Sequence, residues 1–209
     1  MEDVLEVYHR PPNPKHPMVC FDEGSKQQTK EIRLPLPARP GAVAKYDYEY
    51  ERNGTSNLFL FFAPLEAWRH IQVTDRRTMI DFAHCMRDLV DIHFPDAEKI
   101  VLVMDNLNTH KIASLYEAFA PAEARRIIEK LEIHYTPKHG SWLNMAEIEL
   151  SILHRQCLNP RIPDRATLTA KVDLWLHRRN LKQSTVQWQF TTHDARIKLQ
   201  RLYPTIQLC

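Results

Sequence analysis

The sequence predicts an α/β fold, in which a buried sheet is flanked by helices and followed by a helical C-terminal tail. The continuous apolar run Ile100–Met104 is typical of a central strand that is buried on both faces. In residues 77–94, apolar side chains instead recur every three or four positions, which predicts an amphipathic helix. Strand and helix patterns alternate from there to about residue 157, as expected for a sheet with helices on its faces.

The first part of the chain is predicted to form strands separated by proline-rich segments. Four prolines in residues 10–17 exclude helix and regular sheet there, which indicates a linker or an extended arm. The apolar run 18–21 predicts a short strand that ends at Asp22, and residues 45–51 and 57–63 predict two more. Consecutive strands of this kind favour an antiparallel meander.

The remainder is predicted to be mainly helical. Thr74 or Asp75 is expected to cap the helix at 77–94, and Pro121 marks a break in the next helical stretch. The other predicted elements are a helical stretch at 112–131, a strand at 132–135, a helix from Ser141 to about Cys157, and helices at 166–180 and 194–202.

We expect three segments along the chain: an N-terminal segment with its proline-rich linker (1–17), a core domain (18–158) and a basic helical extension (159–209). Residues 151–209 hold ten Lys or Arg and three Asp, a net charge of +7, although the whole chain carries only +2. A basic end beside a carboxylate-rich body suits a protein that binds a polyanion at one surface and metal ions at another. A solvated helical face with surplus arginine explains the same charge equally well.

The composition excludes several kinds of protein. Four scattered cysteines without a C-x-x-C pair indicate neither a disulfide framework nor a zinc ribbon, and they favour a reducing cytoplasm. No segment approaches the roughly 18 apolar residues that span a bilayer, and residues 1–9 lack the apolar run of a signal peptide. We therefore expect a cytoplasmic protein that does not engage a membrane. With four glycines and no glycine-rich phosphate loop, a nucleotide-hydrolysing motor is not indicated.

Three carboxylates stand out by position. Asp22 and Asp105 each follow an apolar strand, and functional groups gather at the carboxyl ends of strands in open α/β sheets. Either aspartate could instead be a turn former or a helix cap. In the helix from Ser141, Glu147 and Glu149 lie on opposite flanks of the apolar stripe, so helical geometry does not choose between them.

These segments resemble the catalytic domain of mariner-like bacterial insertion-sequence transposases, which are DDE superfamily endonucleases. The matching segments are the strand before Asp22, the stretch VLVMDNLNTH around Asp105, and the stretch TPKHGSWLN followed by Glu147. In the last family block a Leu-Asn pair precedes a glutamate by three residues, as Asn144 precedes Glu147. The resemblance therefore favours Glu147 over Glu149, and it predicts that Glu147→Gln abolishes magnesium-dependent nicking whereas Glu149→Gln is mild.

The resemblance also implies the fold, the chemistry and the cofactor. It implies an RNase H-like fold, with a mixed five-stranded sheet flanked by helices. Asp22, Asp105 and Glu147 would be the catalytic and metal-binding residues, holding two Mg²⁺ ions with Mn²⁺ as a substitute. The implied reactions are DNA strand cleavage and strand transfer during transposition. Alternatives are an inactive or domesticated remnant that only binds DNA, and an RNase H-like nuclease that only hydrolyses.

The implied partners are the transposon ends and target DNA, with a homodimer in the synaptic complex. The 41 residues between Asp105 and Glu147 make an interval longer than is common in the superfamily. Family members normally carry helix-turn-helix modules before the catalytic domain, and this chain starts almost at the catalytic strand. We therefore expect a second reading frame, a fragment or an internal start, and recognition of the transposon ends by another part, such as a separate helix-turn-helix product of an upstream frame.

Several further residues are candidate DNA contacts. Each has a plain structural alternative, such as a surface histidine or a tryptophan packed half-buried against the sheet. The candidates are His110, Lys138, His139, Trp142, Arg155, Arg178, Arg179 and Lys182.

Overall fold

The structure is a computed structural model that describes residues 1–106 and 111–203. Five strands form one sheet: β1 (Met18–Glu31), β2 (Tyr50–Ala63), β3 (Trp68–Thr74), β4 (Ile100–Met104) and β5 (Leu131–Tyr135). The α-helices are α1 (Glu2–Tyr8), α2 (Met79–Asp88), α3 (Ala113–Ala118), α4 (Pro121–Lys130), α5 (Met145–Leu153), α6 (Arg165–Leu181) and α7 (Thr192–Lys198). Single π-helical turns continue α2 (Leu89–His93) and α5 (His154–Leu158), and 3₁₀ turns precede α5 (Ser141–Leu143) and follow α7 (Gln200–Leu202).

The sheet is mixed, with the strand order β3-β2-β1-β4-β5. The pairs β1–β2 and β2–β3 are antiparallel, whereas β1–β4 and β4–β5 are parallel. This confirms the predicted α/β class, the antiparallel meander at the front and the mixed five-stranded sheet. In the part of the chain that the structure describes, no helix is long and apolar enough to cross a membrane.

The front strands differ in extent from the prediction. The strand expected at 18–21 continues to Glu31, because β2 pairs with it from Cys20 to Glu31. The strand expected at 45–51 is wrong: this segment makes only an isolated bridge between Leu36 and Lys45 before β2 begins at Tyr50. The strand β3 was not predicted, and it forms because β2 offers a second antiparallel edge.

The helices largely follow the predicted pattern. Pro121 occupies the first turn of α4, where backbone N–H groups have no partner within the helix, so the N–H that proline lacks is not needed. The predicted cap of α2 at Thr74 or Asp75 is wrong, because the helix begins later, at Met79. Thr78 and Asp81 form a reciprocal capping box there. The N-terminal helix α1 was not predicted.

Two apolar clusters cover the two faces of the sheet. One contains residues of α2, α3 and α4 against side chains such as Val19 and Phe21. The other contains residues of α1, α5, α6 and α7 against side chains such as Cys20 and Val103. Helices from the expected N-terminal segment and C-terminal extension therefore share one core with the middle of the chain.

Candidate active site

The two aspartates lie where β1 and β4 separate. β4 pairs in parallel with β1 only as far as Cys20 opposite Val103, and the same register continued by two residues places Asp105 level with Asp22. The sequence predicts that β1 ends at Asp22. In the structure Asp22 lies within β1, two residues beyond the point where β1 stops pairing with β4. Side chains two residues apart on a strand lie on the same face. Asp22 and Asp105 therefore belong to the same face as Cys20 and Val103, which pack in the cluster that contains α5.

Helix α5 is fastened to β1 at the level of these aspartates. The side-chain oxygen of Asn144 accepts a hydrogen bond from the Ala146 amide at 3.1 Å, which caps the helix. The side-chain amide of the same residue donates to the carbonyl oxygen of Phe21 at 2.8 Å. Glu147 follows in the first turn of α5 and is exposed. The cap thus ties the start of the glutamate helix to the residue that precedes Asp22.

Asp105 and Glu147 both act electrostatically on Asp22. Burial, helped by the negative charges of Asp105, Glu147 and Glu23 and opposed by the hydrogen bond from the Glu23 amide, raises the pKa of Asp22 from 3.8 to about 7. That amide donates to Asp22 Oδ1 at 2.8 Å. A half-buried carboxylate with acidic neighbours is more stable when a cation or a proton neutralises it. Glu23 itself pairs with Arg77 at 3.0 Å.

The residues present fit a divalent ion by their chemistry, because three carboxylates offer the hard oxygen donors that Mg²⁺ and Mn²⁺ prefer. Within residues 1–106 and 111–203, no three His, Cys, Asp or Glu side chains are grouped closely enough to hold a metal ion as they stand. In the described residues Asp105 and Glu147 therefore lie near enough to raise the pKa of Asp22, without forming a coordination cage.

Glu149, the glutamate that helix geometry left open, has a structural partner set. Its Oε1 accepts from Arg69 Nε at 2.8 Å and from Arg179 Nε at 2.7 Å, and its Oε2 accepts from Arg179 Nη2 at 3.2 Å. The side chains of Arg69 and Glu149 are 0% and 1% exposed. Glu149 is thus a buried counter-ion for two arginines. The sequence alone predicts that Glu149→Gln is mild, whereas these ion pairs lead us to expect that it destabilises the fold.

Arg69 was missed by sequence reasoning, and it connects β3 to the C-terminal part of the chain. Its guanidinium donates to the carbonyl oxygens of Ala67 at 2.9 Å and Ser184 at 2.7 Å. Its backbone N–H and carbonyl both bond to the side chain of Asn180, at 3.0 and 2.9 Å. A single charged residue in a short strand gives no local signal for such a role, since its partners lie far along the chain.

The candidate DNA contacts fall into three groups. Lys138 and His139 line the same cleft as Asp105, between β4 and the start of α5. Trp142 is 43% exposed, with its ring 6.5 Å from that of Trp188 and 6.1 Å from that of Phe190. The basic residues of the C-terminal extension form the third group, and His110 lies outside the residues that the structure describes.

The basic candidates differ in how free they are to meet a ligand. Arg178 and Lys182 line a surface groove with Trp175. Arg155 is exposed and donates to a backbone carbonyl of its own helix at 3.3 Å. Arg179 is held by Glu149, with its side chain only 18% exposed. Arg178, Lys182 and Arg155 are therefore the more available cations.

Comparison with known proteins adds an independent line of evidence. Residues 17–169 match the family model described as DDE superfamily endonuclease. The structure is similar to the Mos1 strand transfer complex, with a TM-score of 0.57 and 14% identity, covering 88% of this chain and 56% of that one. It is also similar to the Mos1 mariner paired end complex with Mn (TM-score 0.57, 14% identity, 87% and 55% covered) and to a pre-cleavage Mos1 transpososome (TM-score 0.54, 15% identity, 88% and 59% covered).

The chain spans a little over half the length of these Mos1 chains, and no curated protein matches it. At this level of identity the likeness shows the fold, which is the RNase H-like fold that the resemblance implied. The family match covers the three carboxylates and all five strands, and α1 precedes it. The chain belongs to the DDE superfamily endonuclease family.

Proposed function

We propose that the chain is the catalytic domain of a transposase that cleaves DNA at the ends of a mobile element and joins them to target DNA. Asp22, Asp105 and Glu147 would be the catalytic residues and the ligands of two Mg²⁺ ions, with Mn²⁺ as a substitute. The observation that carries this proposal is the effect of Asp105 and Glu147 on the pKa of Asp22 at the junction of β1, β4 and α5. Such a concentration of negative charge destabilises a fold unless a ligand compensates for it.

Each carboxylate contributes through the element that holds it. Two residues beyond the last β1–β4 pair, Cys20 and Val103, come Asp22 and Asp105, which supports a position of both aspartates at this junction, and the cap at Asn144 fixes the start of the helix that carries Glu147. Two divalent ions bound to such a set supply activation of a water or a 3′ hydroxyl and stabilisation of the leaving oxygen. Hydrolysis and strand joining then need the same residues and differ only in the nucleophile.

The surroundings of the carboxylates suit a phosphate backbone. Lys138 and His139 line the cleft beside Asp105, where a phosphodiester would lie across the acidic residues. Arg178 and Lys182 provide further positive charge on the C-terminal extension. We assign Arg179 to the fold, because Glu149 engages it.

Partners and place of action are part of the same proposal. Pairing of two transposon ends calls for two catalytic domains, so we propose a homodimer in the synaptic complex. The shared fold with the Mos1 structures of paired ends and of a transpososome supports transposon ends as the DNA partner. We place the activity in the cytoplasm.

The test is a joining assay with a labelled DNA end that carries a free 3′ hydroxyl, a circular target, and either Mg²⁺ or Mn²⁺. We expect wild type to produce joined DNA and Asp105→Asn to produce none. Asp173→Asn is the matched control, because Asp173 is an exposed acid on α6, and it should behave as wild type. Joining that survives Asp105→Asn would contradict the assignment, and metal-dependent nicking without joining would identify a nuclease of this fold instead.

A further inference from the structure

Tyr8, at the end of α1, lies buried beneath the start of α5. Its side chain is almost fully enclosed, with 6% of the residue exposed. Its hydroxyl donates to the carbonyl oxygen of Leu143 at 2.6 Å and accepts from the amide of Met145 at 3.3 Å. The same oxygen is 3.7 Å from the sulfur of Cys20, two residues before Asp22.

The two backbone groups that Tyr8 binds lie on either side of a change in helix type. Leu143 ends the 3₁₀ turn and Met145 begins α5, and backbone groups at such an end have no partner within the helix. The Asn144 side chain satisfies the next amide and reaches β1. Two side chains therefore fix the direction in which α5 starts, one from within the turn and one from α1.

The position of Tyr8 is itself well determined. Glu2 of α1 pairs with Arg196 of α7 at 2.8 and 2.7 Å, and Asp3 accepts from His134 of β5 at 2.8 Å. The Tyr8 ring packs against Trp188, with centroids 5.2 Å apart. Because α1 is tied at several points, its tyrosine acts as a fixed support and does not simply follow the movement of α5.

We propose that Tyr8 is a positioning residue of the active site, whose hydroxyl sets the first turn of α5 and thereby the placement of Glu147 relative to Asp22. This rests on the proposed role of Glu147 as a metal ligand. Tyr8 lies outside the residues that the family model matches, so that match assigns it no role. The consequence is that the N-terminal helix is part of the scaffold of the catalytic site.

The test compares Tyr8→Phe with Ser56→Ala. Tyr8→Phe keeps the ring against Trp188 and removes only the hydroxyl. Ser56→Ala removes one buried hydrogen bond, from Gln28 at 2.5 Å, between β1 and β2. Both variants should lose stability, and Tyr8→Phe the more, because it leaves the Leu143 carbonyl and the Met145 amide without their partner whereas Ser56→Ala leaves only the Gln28 amide.

Two readouts separate positioning from general stability. In Tyr8→Phe, hydrogen exchange of the Met145 amide should accelerate at least tenfold relative to amides of α6, and the Mn²⁺ concentration for half-maximal joining should rise several-fold. Ser56→Ala should change neither. Unchanged exchange and unchanged Mn²⁺ dependence in Tyr8→Phe would overturn the proposal. If wild type itself shows no metal-dependent activity, the proposed function fails, whereas an accelerated Met145 amide would still show that Tyr8 sets the start of α5.

Discussion

Replacing Glu149 and Glu147 separately by glutamine should have opposite consequences, although the two residues lie two positions apart on one helix. Glutamine keeps the volume of the side chain and removes its charge. At Glu149 the change leaves Arg69 and Arg179 without their shared counter-ion. At Glu147, which is exposed, the change removes the charge of the proposed metal ligand and affects no buried side chain.

The size of the effect at Glu149 follows from burial. Arg69 is 0% exposed, so its charge has no water to replace the lost carboxylate, and breaking a buried ion pair of this kind costs about 3–5 kcal/mol. A domain of this length loses about 2–4 °C in melting temperature per kcal/mol. We therefore expect Glu149→Gln to melt roughly 10 °C below wild type. Glu147→Gln should melt within a degree or two of wild type.

The assay pairs thermal unfolding in EDTA with joining in Mg²⁺ or Mn²⁺, below the melting temperature of the weaker variant. Glu149→Gln should lose stability and, once folded, retain joining. Glu147→Gln should keep its melting temperature and lose joining. Equal stability of Glu149→Gln and wild type would refute the buried ion-pair argument, and loss of joining in Glu149→Gln alone would show that the wrong glutamate had been assigned to the metal.

Three further outcomes are expected. Because the pKa of Asp22 is raised to about 7, its contribution to the stability of the metal-free protein is complete below about pH 4 and is lost as the pH rises through 7, on the order of 4 kcal/mol in all. In EDTA, the melting temperature should therefore fall between pH 5 and 8, and it should fall less steeply in Asp22→Asn. Added Mg²⁺ at a hundred times its dissociation constant should raise the free energy of unfolding of wild type by about 2.7 kcal/mol, and with it the melting temperature; the effect should be smaller in Asp22→Asn, and equal shifts would argue against ligation. Binding to mixed-sequence DNA should weaken with salt, and Arg178→Ala or Lys182→Ala should each reduce the salt slope by about 1; a slope unchanged in both would place the phosphate contacts elsewhere.

The sequence predicts those parts of the fold whose signals are local. The apolar run of β4 and the proline at the start of α4 each identify an element from a few neighbouring residues. The length of β1 is not local, because residues after Asp22 become strand only through pairing with β2. Helix α1 has seven residues, too few for a clear period, and its apolar side chains are explained only by the core they enter.

The candidate site shows the same division. The spacing of Asn144 and Glu147 supports the assignment of the glutamate through a family motif, whereas helix geometry left Glu147 and Glu149 equivalent. What distinguishes them in the structure is Arg69 on β3 and Arg179 on α6, and neither is near α5 in sequence. Pairing across such separations cannot be inferred from one sequence.

The bonds between Asn180 and the backbone of Arg69 also bear on aggregation. β3 is at the edge of the sheet, and an open edge offers unpaired N–H and carbonyl groups to strands of other molecules. The side-chain amide of Asn180 binds both the N–H and the carbonyl of Arg69, as a residue of a sixth strand would, and α6 packs against β3. Asn180 is synthesised 111 residues after Arg69, so this edge stays open on the ribosome until α6 has emerged. Chains truncated before α6 would expose it permanently and should associate through β3.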